Sequence, residues 1–103
     1  MQKKRPQDCA TMAELRVQID TLDNHLIDLL VARSGYIDRA VDLKQIEGLP
    51  ARTTDRVQEV LNNVRNNAAA KGLDAGLVVD IWANLIEWSI EREATHLGHG
   101  ASQ

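Results

Sequence analysis

The sequence predicts an all-α fold of three helices, and three observations carry the prediction. Apolar residues recur at helical spacing, about 100° per residue, through long segments. Nowhere do they alternate as a half-buried strand requires, and no internal repeat is present. The helical segments are separated by strong breakers, "EGLPA" and "GLDAG".

The first helix begins at Met12. Thr11 followed by Glu14 has the spacing of a capping box. From there to Lys44 the chain has no Pro and a single Gly, Gly35, while Met12, Leu15, Ile19, Leu22, Leu26, Leu29, Leu30, Ile37 and Ala40 keep one register. Gly48 and Pro50 end it. Thr53 is placed to cap a second helix, with Asp55 favourable in its first turn. That helix should run to about Lys71, where Gly72 suits the left-handed C′ position. Asp74 then caps a third helix reaching about His96. Residues 11–97 therefore read as one helical domain, with tails at 1–10 and 98–103, the latter expected to fray.

The first helix is too long for one small domain. At 1.5 Å per residue it would measure about 50 Å, whereas a chain of this size has a radius of gyration near 13 Å. Two shorter helices cannot cover so long an apolar stripe, so an intertwined homodimer of paired long helices is expected. The stripe is wider than a coiled-coil seam.

The net charge of −3 with no long basic run argues against nucleic acid as a partner. A single cysteine, Cys9, allows no internal disulfide, and with no signal-like or membrane-length apolar run the expected location is cytoplasmic, away from membranes. His25, His96 and His99 form no ligand pair, so no metal is expected.

Charges on apolar faces are the informative anomaly. In "LIEWSIERE", Glu93 falls in the middle of the stripe made by Trp82, Leu85, Ile86, Ser89, Ile90 and Leu97, whereas Glu87 and Glu91 point away. A carboxylate buried alone is very costly, so Glu93 should be paired, protonated or exposed. Arg33 and Lys44, eleven residues apart, both lie within about 40° of the first stripe's centre. Arg16 sits at the stripe's edge, and Arg56 in the first turn of the second helix, where free N–H groups also favour an anion. Each has a plain structural explanation: an ion pair for Arg33, carbonyl capping for Lys44, an i−4 bond for Ser89. Taken together, an interior with excess positive charge calls for an anion with more than one carboxylate, which arginine binds bidentately.

The register "ELRVQIDTLDNHLIDLLVARSGYIDRAVDLK", followed by "RTTDR" and "LIEWSIERE", resembles the all-helical chorismate mutases and the isochorismate-pyruvate lyases that share their fold, over about residues 8–97. The resemblance implies an intertwined dimer with two active sites and no cofactor. It implies that Arg16 reaches into the partner's site to bind the enolpyruvyl carboxylate, that Arg33 binds the ring carboxylate with Ser89 assisting, and that Lys44 contacts the ether oxygen and a carboxylate. Arg56 would add positive charge, and Glu93 would face the ether oxygen opposite Lys44. Two positions depart from the mutase pattern: Val57 stands where several mutases have a Glu, and Thr53 where some have Asp. Val57 and the opening "QDCATMAELR" look lyase-like, whereas Ser89 and the loop length from Lys44 to Arg56 look mutase-like. The expected reaction is the rearrangement of chorismate to prephenate, with pyruvate elimination from isochorismate as the alternative. A non-catalytic helical dimer, its inward charges paired between helices, is the reading from a different class.

Overall fold

The computed structural model describes residues 4–97. The described elements are a short 3₁₀ turn (Pro6–Asp8) and three helices, α1 (Met12–Glu47), α2 (Thr54–Ala70) and α3 (Ala75–Leu97), with no strand among the described residues. The expected fraying of 98–103 concerns residues outside that range. The contacts divide the chain into two units, one ending at Gly35 and the other beginning at Tyr36.

In the first unit, Thr11 Oγ1 accepts the N–H of Glu14 at 3.1 Å, one arm of the expected capping box. The second arm differs. Glu14 Oε2 reaches past Thr11 to the N–H of Ala10, at 3.0 Å, because its other oxygen is held by Lys4 Nζ at 2.9 Å. Residues 4–10, expected as a tail, thus carry the 3₁₀ turn and return toward α1 through Lys4, whose N–H also reaches Gln18. The apolar stripe of α1 stays open: Leu22, Leu26, Leu29 and Leu30 are 41–66% exposed.

The second unit holds a core of Ala51, Ile86, Ile90 and Ala94, against which Val57, Val60, Leu61 and Leu97 pack. Burying each isoleucine contributes about 1.5–3 kcal/mol. Turn chemistry sets how the elements reach this core. Gly48, with φ of 71°, lets Leu49 N–H return to Lys44 O at 2.8 Å, closing α1. Gly72, with φ of 76°, does the same for α2: Leu73 N–H bonds Ala68 O and Gly72 N–H bonds Ala69 O. A side chain at either glycine would strain that backbone. Asp74 caps α3, its Oδ1 accepting Leu77 N–H at 3.2 Å. Thr53 occupies the N-cap position of α2 in extended conformation, but its hydroxyl makes no capping bond, contrary to expectation.

Candidate active site

Glu93 lies where the helical wheel puts it, buried at 4% exposure on the core face of α3 beside buried Ser89 and Ile90. Lys44, three residues before the end of α1, extends to it: Nζ is 2.6 Å from Glu93 Oε1, and the two side chains are 17% and 5% exposed. The same ammonium donates to the backbone carbonyl of Ala51 at 2.6 Å. That second contact is an aligned hydrogen bond. The approach to Glu93 is close but off the hydrogen-bond direction, which leaves Oε1 a buried oxygen in charge contact without an aligned donor.

Ser89 Oγ donates to Leu85 O at 2.8 Å, the i−4 bond foreseen as its structural explanation. Arg56 is exposed, and its guanidinium meets Glu59 on its own helix at 2.6 Å. Arg16 and Arg33 belong to the first unit, where Arg16 is exposed and Arg33 half-buried. Within the second unit, therefore, the structure brings together Lys44 and Glu93, with Ser89 one helical turn before Glu93 on the same buried face.

Two further ion pairs flank this pair, and the helical wheels did not reveal them. Arg92 forks onto Asp38, with bonds of 2.6 and 3.0 Å between α3 and α1, and its guanidinium lies 5.3 Å from the Trp88 ring centroid. Arg52 forks onto Glu87, with bonds of 2.9 and 2.6 Å between the α1–α2 loop and α3. Hydrogen bonds from Arg92 hold the Asp38 carboxyl below the usual carboxylate range, and those from Arg52 do the same for Glu87. Both forks sit at the exposed rim, where single pairs contribute little to stability. The only sequence signal for them was the outward placement of Glu87.

A preorganised ammonium facing a buried carboxyl, with apolar side chains around both, can stabilise charge developing on a bound oxygen. Among the described residues no group of acidic, His or Cys side chains could hold a metal ion, and no helix is long and apolar enough to cross a membrane.

Residues 15–94 match the family model described as "Chorismate mutase type II". The chain is 33% identical to the isochorismate pyruvate lyase of Pseudomonas aeruginosa over 91 residues, 87% of this chain and 88% of that protein. It is 25% identical to the chorismate mutase of Methanocaldococcus jannaschii over 76 residues, 74% of this chain and 77% of that one. It is 31% identical over 84 residues, 82% of this chain, to the T-protein of Enterobacter agglomerans, of which the match spans only 22%.

Proposed function

The chain belongs to the all-helical chorismate mutase type II family, and from that premise we propose that it rearranges chorismate to prephenate. The observation that carries the reading is the Lys44–Glu93 contact at 2.6 Å on a buried face. The rearrangement breaks the ether C–O bond as a new C–C bond forms, in one step within one molecule. It needs no nucleophile and no metal. Negative charge grows on the ether oxygen as its bond stretches, and a cation and a neutral acid held ready there lower the barrier. In this reading the Lys44–Glu93 contact opens as substrate binds, and the substrate oxygen takes a hydrogen bond from each. An ionised carboxylate can only accept, so Glu93 works protonated.

On the strength of the family resemblance, Arg33 is assigned to the ring carboxylate with the Ser89 hydroxyl assisting, and Arg56 adds positive charge; together they hold the reactive geometry. Arg16 is assigned to the site of a partner chain. The support for a homodimer is the open stripe of α1, where a run of leucines stays 41–66% exposed. Monomers rarely leave apolar patches of that kind uncovered.

A second reading has its own observation. The lyase relative is matched at 33% identity over 88% of its length, and Val57 leaves the second helix without a carboxylate at that position. The elimination of pyruvate from isochorismate would use the same cations. One pair of assays tests both. Chorismate absorbance should fall with prephenate formed, while isochorismate should give no salicylate or pyruvate. Salicylate from isochorismate with chorismate untouched would overturn the mutase reading in favour of the lyase, and inertness toward both would overturn the enzyme reading.

A further inference from the structure

The Lys44 ammonium is held by an aligned hydrogen bond to the Ala51 carbonyl in the loop and by charge contact with Glu93 Oε1 on α3, each at 2.6 Å. Glu93 sits on a helix packed into the core. Ala51 belongs to a connector, so the geometry of Lys44 depends on what fixes that connector. Ala51 itself is 2% exposed, seated against Ile86, Ile90 and Ala94. The next residue, Arg52, forks onto Glu87 of α3 with two bonds. Ala51 is thus anchored to α3 twice in succession, by its methyl inside and by Arg52 at the rim. Glu91, one turn further along α3, adds to the negative charge felt by Arg52. An exposed pair of this kind contributes little to folding, but its planar fork fixes direction as well as distance.

We propose that Arg52 and Glu87 are positioning residues that pin the α1–α2 loop to α3 so that the Ala51 carbonyl aims the Lys44 ammonium at the reacting oxygen. The inference rests on the functional reading above only for what Lys44 does, and not for how it is held. A displacement of about 1 Å at a reacting group can cost up to about a hundredfold. A loosened loop shifts Lys44 by part of that, and the loss appears in turnover rather than in ground-state binding, because the ether contact strengthens only as the bond breaks.

The test is steady-state kinetics on chorismate for Arg52→Ala, Glu87→Ala, the double variant, and the charge swap Arg52→Glu/Glu87→Arg. Arg39→Ala, which removes another exposed pair at 3.4 Å, is the control. Each single variant should lower kcat about five- to tenfold with KM changed less than about twofold, the double should be no worse than either single, and the swap should recover most of the loss. The Lys44 side-chain CH₂–NH₃⁺ resonances should move in Arg52→Ala and stay in place in Arg39→Ala. Equal small losses in Arg52→Ala and Arg39→Ala, or a lowered Tm with kcat unchanged, would overturn the proposal. If the parent turns over neither chorismate nor isochorismate, the functional reading fails on its own. The resonances then decide the positioning: unmoved Lys44 signals in Arg52→Ala overturn it, and moved signals sustain it.

Discussion

The two halves of α1 draw on the same aliphatic residue types and differ in what their own chain buries. Before Gly35, Val17, Leu22, Leu26, Leu29 and Val31 remain 48–66% exposed. After it, Val41 is 7% exposed, Asp38 is tied to Arg92, and Lys44 reaches a carboxylate that is itself 4% exposed. The second half turns Val41 and Lys44 inward, while Tyr36, Leu43 and Ile46 stay 41–79% exposed. The first half is a surface with the chemistry of an interior. One chain makes the Lys44–Glu93 contact by itself and leaves the leucines of its first half open. A second copy is the proposed cover for that face.

The largest effect should come from breaking the second half at its buried charge. Lys44→Ala removes a preorganised donor to a developing oxyanion, which typically costs about 2.7–4 kcal/mol and therefore about a hundredfold or more in rate. It also leaves Glu93 buried opposite nothing, so unfolding should come at lower temperature. Lys44→Ala/Glu93→Gln should regain that stability without regaining activity. Calorimetry and kinetics on the two variants separate the roles, and turnover within threefold of the parent in Lys44→Ala would remove Lys44 from the mechanism.

Glu93 gives the next effect. Glu93→Gln keeps the shape and a donor, so activity near neutral pH should be partly retained. Glu93→Ala should lose activity throughout. A rate that rises between pH 5 and 8, together with a destabilised Glu93→Gln, would make the Lys44 contact a structural ion pair instead.

The open half is tested by assembly. Sedimentation at micromolar concentration should show a dimer, and its unfolding temperature should rise with protein concentration. Mixing Arg16→Ala with Lys44→Ala, each nearly inactive alone, should recover about a quarter of the parent's activity after random subunit exchange, since only the mixed dimer holds one intact site. Proven exchange without recovery would place Arg16 and Lys44 in the same chain's site.

The smallest effect belongs to the rim. The Asp38 and Glu87 carboxyls are depressed by hydrogen bonds from Arg92 and Arg52. A group with a lowered folded value stabilises above its unfolded value, near 4, and loses that contribution as pH falls through the folded one. Thermal unfolding followed from pH 6 to 2 should therefore decline below about pH 4, and Asp38→Asn should show a shallower acid limb than the parent. Superimposable limbs would show that the fork contributes nothing to folding.

Much of this was legible in the sequence. The helix limits follow from Gly48, Gly72 and Asp74, whose turn and cap chemistry is local. Glu93 was legible because one wheel places it on an apolar face, and Lys44 because it shares a face with the leucines of α1. What a wheel does not contain is the partner of an outward charge. Arg52 and Glu87 are 35 positions apart and Arg92 and Asp38 are 54 apart, so nothing in their spacing joins them. The Ala51 carbonyl was illegible for a further reason: a backbone acceptor carries no residue identity. Thr53 shows the converse, a residue of the right type at the right place whose hydroxyl makes no cap.

Lys44 is gripped by the loop at both ends. Its carbonyl receives the N–H of Leu49 at 2.8 Å, and its ammonium gives a hydrogen bond to Ala51 at 2.6 Å. The segment from Gly48 to Ala51 therefore works as a ruler laid along one residue. Surface connectors ordinarily tolerate added or deleted residues at small cost. Here one extra residue between Gly48 and Ala51 would preserve the backbone grip while carrying the carbonyl out of reach of the ammonium, so this loop should accept changes of sequence at Leu49 and resist changes of length.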